Sequence, residues 1–197
     1  MKIRYKGFTL IEIIVVMGVL AILLPTVFSV IYIIMQQQLR TYKLIDTKKQ
    51  GDMIMSYMKE SIARDAVGIS NSIGINQCNT AGGAYSESTD FFFVLQTNSP
   101  SDMFTFRTNA SGAFIYEHYI YDNASGIFIS DFSTNLNNPN TVEVSNFLLE
   151  CLKRDNNSFP IVSFSYDATY LDNTPTLQEG VVTLHYQTKV KLRKTLD

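Results

Sequence analysis

Hydrophobic residues dominate the first part of the chain and then give way to a one-sided pattern. From Phe8 to Leu39 the only charged side chain is Glu12. This run exceeds the ~20 residues that a helix needs to cross a ~30 Å hydrocarbon core. Farther along, apolar residues recur at spacings of three and four, at Leu39, Tyr42, Ile54, Tyr57, Met58 and Ile62. The pattern predicts one helix from Phe8 to about Ala66, apolar on all sides in its first half and amphipathic in its second.

Two features of this helix carry expectations of their own. Pro25 lacks an N–H and clashes with the carbonyl of residue 21, so we expect a kink or a melted turn there. Met53, Met55 and Met58 lie at helical spacing, and we interpret them as core residues rather than as a binding surface.

From Asp90 onwards apolar and polar residues alternate with a period of two, which is typical of β-strands. The predicted strands are Phe91–Gln96, Met103–Thr108, Phe114–Tyr121, Ile127–Phe132, Thr141–Phe147, Ile161–Tyr166 and Val181–Arg193. The segment Val67–Asp90 has no clear period, so it is predicted to be a long loop, with a short strand or helix as an option. Strands joined by turns without helices predict one antiparallel sheet or two. The fold class is therefore α+β, with the amphipathic half of the helix on one sheet face.

Composition fits one anchor and one small domain. The 197 residues include 12% aromatic and 17% charged residues, compatible with a packed, β-rich core rather than disorder. The net charge of −2 argues against nucleic acid as a bulk electrostatic partner. We interpret the basic residues near the C-terminus as a solvated face rather than a DNA contact: Lys189, Lys191, Arg193 and Lys194.

The sequence offers little catalytic or metal-binding chemistry. His118 and His185 lie on alternating strands without a recognisable nucleophile motif, so we do not expect an enzyme. Cys78 and Cys151 are the only cysteines, and a disulfide or two free thiols are equally compatible with the sequence. Two cysteines without clustered histidines do not make a zinc site, and we expect no metal or cofactor.

The junction before the apolar run has a distinctive order. A short basic leader ends at Gly7, the apolar run begins at Phe8, and Glu12 follows four residues later. This order resembles the processing motif of bacterial type IV pilin-like precursors. The resemblance implies that a membrane-bound prepilin peptidase cuts the Gly7–Phe8 bond and that Phe8 is then N-methylated. It also implies that Glu12 pairs with the terminal amine of a neighbouring subunit.

The resemblance gives the whole chain an expected organisation: a leader peptide at 1–7, a transmembrane and filament-core helix at 8–35, its amphipathic continuation at 36–66 and an extracytoplasmic antiparallel β domain at 67–197. The implied location is the cytoplasmic (inner) membrane, crossed once, and then a pilus or pseudopilus. The implied partners are the prepilin peptidase, other pilin or pseudopilin subunits, the inner-membrane assembly platform and membrane lipid, without nucleic acid.

The strand order is similar to that of the minor pilins, and among them the J-type minor pseudopilins of type II secretion. This likeness implies a minor structural subunit. The alternatives are a membrane-tethered binding or adhesion domain that never polymerises, and a major pilin.

Overall fold

The computed structural model describes residues 9–71, 76–78, 84–87, 91–95, 102–155, 158–171 and 181–192. The chain divides into two compact units, Met1–Tyr42 and Lys43–Asp197.

Helix α1 spans Leu10–Asp65 and continues without a break from the apolar run into the amphipathic segment. The predicted helix is therefore confirmed to within two residues at its start and one at its end. Helical geometry also continues through Pro25, so the expected melted turn does not occur, while the expected kink stays a prediction. Next to Pro25, the Thr26 hydroxyl donates a hydrogen bond to the Leu23 carbonyl at 2.8 Å, in addition to the backbone bonds of the helix.

Ten strands are described after the helix. They are β1 Ala66–Ser70, β2 Asn76–Gln77, β3 Ala84–Glu87, β4 Phe92–Leu95, β5 Met103–Thr108, β6 Phe114–Asp122, β7 Ile127–Asn135, β8 Val142–Leu152, β9 Ile161–Tyr170 and β10 Thr183–Lys191. They form a six-stranded sheet in the order β2-β1-β4-β5-β6-β7 and a four-stranded sheet in the order β10-β9-β8-β3. Every described pairing is antiparallel, which confirms the α+β prediction.

The segment predicted as a long loop contains part of both sheets. The loop prediction was wrong for three stretches, and the short strand given as an option is present there. Strand β1 begins at Ala66, directly after the last helical residue, and pairs with β4. Its five residues bury Ala66, Ile69 and Ser70 rather than alternating strictly, so a period-two search does not find it. Strand β2 has two residues, below the length at which a period is readable, and β3 has four, at the lower limit of that length.

One hydrophobic core joins the last part of α1 to both sheets. Ile54, Met58 and Ile62 of the predicted helical stripe are fully buried in it. Strands of both sheets contribute aromatic side chains beside aliphatic ones, and the aromatic ones include Phe93, Phe104, Phe106, Phe114, Phe164 and Tyr166. The aromatic rings pack in edge-to-face and stacked pairs, which add to the stabilisation from their buried area.

The stripe prediction was wrong in its first part. Leu39 and Tyr42 are 62% and 64% exposed. Met53, interpreted as a core residue, is also exposed, whereas Met55 packs against the core and Met58 is buried.

Within the Lys43–Asp197 unit, two stacked tyrosines donate hydrogen bonds to the helix backbone around a glycine. The hydroxyl of Tyr166 donates to the Gly51 carbonyl at 2.7 Å, and the hydroxyl of Tyr186 donates to the Lys48 carbonyl at 3.2 Å. The two rings stack with their centroids 5.2 Å apart. A Cβ atom at Gly51 would lie 2.3 Å from the Tyr186 ring, so this close approach requires glycine. We call Gly51, Tyr166 and Tyr186 the tyrosine clamp.

Gln50 adds a polar contact next to the clamp. Its side-chain amide donates to the Thr141 hydroxyl at 2.9 Å, and its carbonyl oxygen accepts from the Asn138 backbone N–H at 2.8 Å. These bonds tie the helix to the turn that precedes β8.

A disulfide joins Cys78 to Cys151, two positions 73 residues apart in sequence. Their Cα atoms lie 5.9 Å apart, and both side chains are buried. The sequence left a disulfide and free thiols equally open. The bond ties the residue that follows β2 to β8 of the four-stranded sheet.

Candidate functional site

The first turn of α1 is built around Thr9 and Glu12. The backbone N–H and the hydroxyl of Thr9 both donate to Oε2 of Glu12, each at 3.3 Å. In return, Oγ1 of Thr9 accepts a hydrogen bond from the Glu12 backbone N–H at 3.4 Å. This reciprocal arrangement is a capping box, in which a threonine at the helix start and a glutamate three residues later satisfy each other's unpaired groups.

The carboxylate of Glu12 has no other charge near it along the described apolar segment. Between Thr9 and Leu39 every side chain other than Glu12 is uncharged, and nearly all of the large ones are apolar and exposed in the single chain. Within the described residues, the helix α1 is long and apolar enough to cross a membrane. A carboxylate in such a segment needs hydrogen-bond donors or a cation, because hydrocarbon supplies neither.

The predicted processing residues Gly7 and Phe8 lie outside the described residues. The described chain begins two residues after the Gly7–Phe8 bond, with Thr9 as the residue that precedes the helix. Processing at this bond and N-methylation of Phe8 therefore stay predictions.

Each of the two histidines lies next to an aspartate on a neighbouring strand. Nδ1 of His185 lies 2.7 Å from Asp167 Oδ1, and Asn146 donates to the other carboxylate oxygen at 2.7 Å. The hydrogen bond from Asn146, and then that from His185, lowers the pKa of Asp167. Nδ1 of His118 lies 3.5 Å from Asp131. These contacts link neighbouring strands, and within the described residues they include no serine or cysteine nucleophile.

The remaining candidates in the described parts of the chain are metal ligands and the basic residues near the C-terminus. No group of three or more His, Cys, Asp or Glu side chains is arranged there to hold a metal ion. Lys189 and Lys191 lie exposed on β10, and the Lys191 ammonium sits 4.2 Å from the centroid of the Phe159 ring. Arg193 and Lys194 fall outside the described residues.

Sequence reasoning missed the part played by Thr9. The signal was available, because Thr9 and Glu12 fit the Ser/Thr-x-x-Glu signature of a capping box just before an apolar run. The bonds of Thr9 to Glu12 emerge from the structure.

Comparison with known proteins gives a match at the N-terminal end of the chain. Residues 2–24 match the family model described as the prokaryotic N-terminal methylation motif. No curated protein and no solved structure matches the chain. The matched segment contains the glycine, the phenylalanine, the capping box and the first half of the apolar run. The chain thus carries the N-terminal methylation motif of type IV pilin-like prepilins.

Proposed function

We propose that the chain is a structural subunit, and a minor one, of a type IV pilus-like or type II secretion filament. In this proposal prepilin peptidase cuts the Gly7–Phe8 bond, Phe8 is N-methylated, and the mature chain assembles through its N-terminal helix. The observation that carries the proposal is a methylation motif leading into an apolar helix whose only charge up to Leu39 is Glu12.

Electrostatics give Glu12 a reason to meet an amine. Cutting before Phe8 creates an ammonium group at the edge of the apolar segment. Two opposite unit charges ~4 Å apart attract by ~4 kcal/mol at an effective dielectric constant near 20. This gross attraction offsets much of the cost of keeping a carboxylate in hydrocarbon, and it is lost if the neighbouring subunit is out of register. Pairing of Glu12 with a neighbour's Phe8 amine therefore sets the axial spacing of subunits.

The disulfide supports the proposed orientation. Disulfides persist in oxidising compartments and are rare in the cytosol, so a bonded Cys78–Cys151 pair fits a sheet-bearing unit outside the cytoplasm. The leader then stays on the cytoplasmic side of the inner membrane, where the peptidase acts. The partners in this scheme are the prepilin peptidase, the inner-membrane assembly platform, membrane lipid and other pilin or pseudopilin subunits.

Substitution of Glu12 tests the proposal. We expect Glu12→Ala to be cut at Gly7–Phe8 as the wild type is, but to be strongly depleted from filaments sheared from the native cells. Glu60→Ala is the matched control, because Glu60 is an exposed glutamate of the same helix outside the apolar run. Normal incorporation of Glu12→Ala into filaments contradicts the proposed role of Glu12.

A membrane-tethered binding domain is the second candidate. The observation that favours it is the Lys43–Asp197 unit, which has its own core and disulfide. Mass spectrometry of the mature N-terminus separates the two: methyl-phenylalanine at residue 8 supports the filament subunit, and a chain that still begins at Met1 supports the tether. A major pilin is distinguished from a minor one by its abundance in sheared filaments.

A further inference from the structure

The two oxygens of the Glu12 carboxylate are not equivalent in the single chain. Both donors from Thr9 go to Oε2, and among the described residues no hydrogen bond reaches Oε1. The Thr9 hydroxyl acts in both directions, because it donates to Oε2 and accepts from the Glu12 N–H. Counting only bonds between described residues, the Glu12 side chain is therefore held with Oε2 bonded and Oε1 open.

This arrangement survives the cut that the proposed function requires. Phe8 lies between the cut bond and Thr9, so the Thr9 backbone N–H remains an amide N–H in the mature chain. Cleavage adds an amine at Phe8 without removing any of the three bonds between Thr9 and Glu12. A neighbour's amine can then reach Oε1 while Oε2 stays capped.

We propose that Thr9 is a positioning residue for assembly, which rests on the proposed function of Glu12. Thr9 fixes the rotamer of the Glu12 side chain and leaves Oε1 as the acceptor for the Phe8 amine of the neighbouring subunit. Without the Thr9 hydroxyl, the carboxylate has to be ordered at the moment of contact, and holding one long side chain in place costs part of the association free energy. Loss of the Thr9 hydroxyl also leaves Oε2 of Glu12 with one hydrogen-bond donor fewer in an apolar segment.

The test compares Thr9→Val, which keeps the shape of the side chain and removes its hydroxyl, with Thr9→Ser, which keeps the hydroxyl. Both are expressed as full chains in the native cells, and the processed chain found in sheared filaments is measured as a fraction of all processed chain. We expect Thr9→Val to reduce that fraction roughly two- to tenfold and Thr9→Ser to match the wild type. Thr26→Val is the matched control, since the Thr26 hydroxyl donates to the Leu23 carbonyl of its own helix in the same apolar segment.

A double variant separates positioning of Glu12 from any general effect on the helix. In a Glu12→Gln background we expect Thr9→Val to cause no further loss, because the charge that Thr9 positions is already absent. Independent, multiplying losses overturn the inference, and so does wild-type incorporation of Thr9→Val. If Glu12→Ala fails to assemble while Thr9→Val assembles normally, only the positioning role falls. If Glu12→Ala itself assembles normally, the proposed function of Glu12 and this inference fall together.

Discussion

Gly51→Ala places a methyl group against the ring of Tyr186, at the point where the tyrosine clamp holds the helix. The added Cβ lies 2.3 Å from Cζ and 2.5 Å from the hydroxyl oxygen of Tyr186, well inside van der Waals contact. Tyr186 has to move, and its stack on Tyr166 and its bond to the Lys48 carbonyl are disturbed. The substitution therefore acts on a packed contact between helix and sheet.

The magnitude follows from opposing effects. Replacing glycine by alanine inside a helix favours folding by about 1 kcal/mol through helix propensity. Overpacking a well-filled contact costs about 1–3 kcal/mol, and loss of the Tyr186 hydrogen bond and ring stacking costs about 1–2 kcal/mol more. The losses exceed the gain, so we expect a net destabilisation of about 2 kcal/mol.

The assay is denaturant unfolding of the detergent-solubilised full chain, followed by near-UV circular dichroism of the tyrosines. Gly18→Ala is the matched control, because Gly18 is a glycine of the same helix with no atom within 4 Å of an added Cβ. We expect Gly18→Ala to leave the unfolding midpoint of the sheet-bearing unit unchanged. A Gly51→Ala chain as stable as the wild type, or more stable, refutes the reasoning, because helix propensity then outweighs the clamp.

The disulfide and one buried carboxylate give further predictions. Cys78→Ser with Cys151→Ser should lower the free energy of unfolding by about 4 kcal/mol, since it opens a loop closed across 73 residues; the wild type unfolded with reductant should show the same loss, and equal stability with and without reductant contradicts it. Burial raises the pKa of Glu117, but hydrogen bonds from Arg107 and Tyr119 outweigh burial and lower its pKa overall. A lowered pKa in the folded chain means that Glu117 stabilises the fold above pH 4.5, its ordinary value, and that this stabilisation is lost as the pH falls below it. Glu117→Gln should therefore flatten the acid limb of the stability profile, and an unchanged acid limb counts against this role.

Local patterns predicted the elements whose residues obey a regular period. Strand β5 has the bounds that the alternation of Phe104 and Phe106 with polar neighbours predicts. Strand β8 runs past the predicted end at Phe147. An irregularity between Ser145 and Leu148, with Asn146 at a positive φ of 52°, shifts the alternation of buried and exposed residues by one position, so a single period does not follow the whole strand. The sequence pattern stops there, whereas the hydrogen-bonded strand continues to Leu152.

Features that depend on tertiary contacts could not be predicted from the sequence. The apolar spacing of Leu39 and Tyr42 resembles that of the buried stripe, but both side chains are exposed, and spacing alone does not say where a sheet begins to cover a helix. The pairing of Cys78 with Cys151 depends on the Cα separation that the fold sets. The candidate site, in contrast, depends on a local contact. The capping box joins Thr9 and Glu12, which are three residues apart, so it could be predicted from the sequence.

The tyrosine clamp also fixes the position of the sheet along the helix axis. Tyr166 and Tyr186 each bond a particular carbonyl of α1, at Gly51 and Lys48, one turn apart. Sliding the sheets along the helix by a single turn breaks both bonds and sets a bulkier residue than glycine against the rings. The clamp therefore sets the position of the sheets along residues 43–65 of the helix to within one turn.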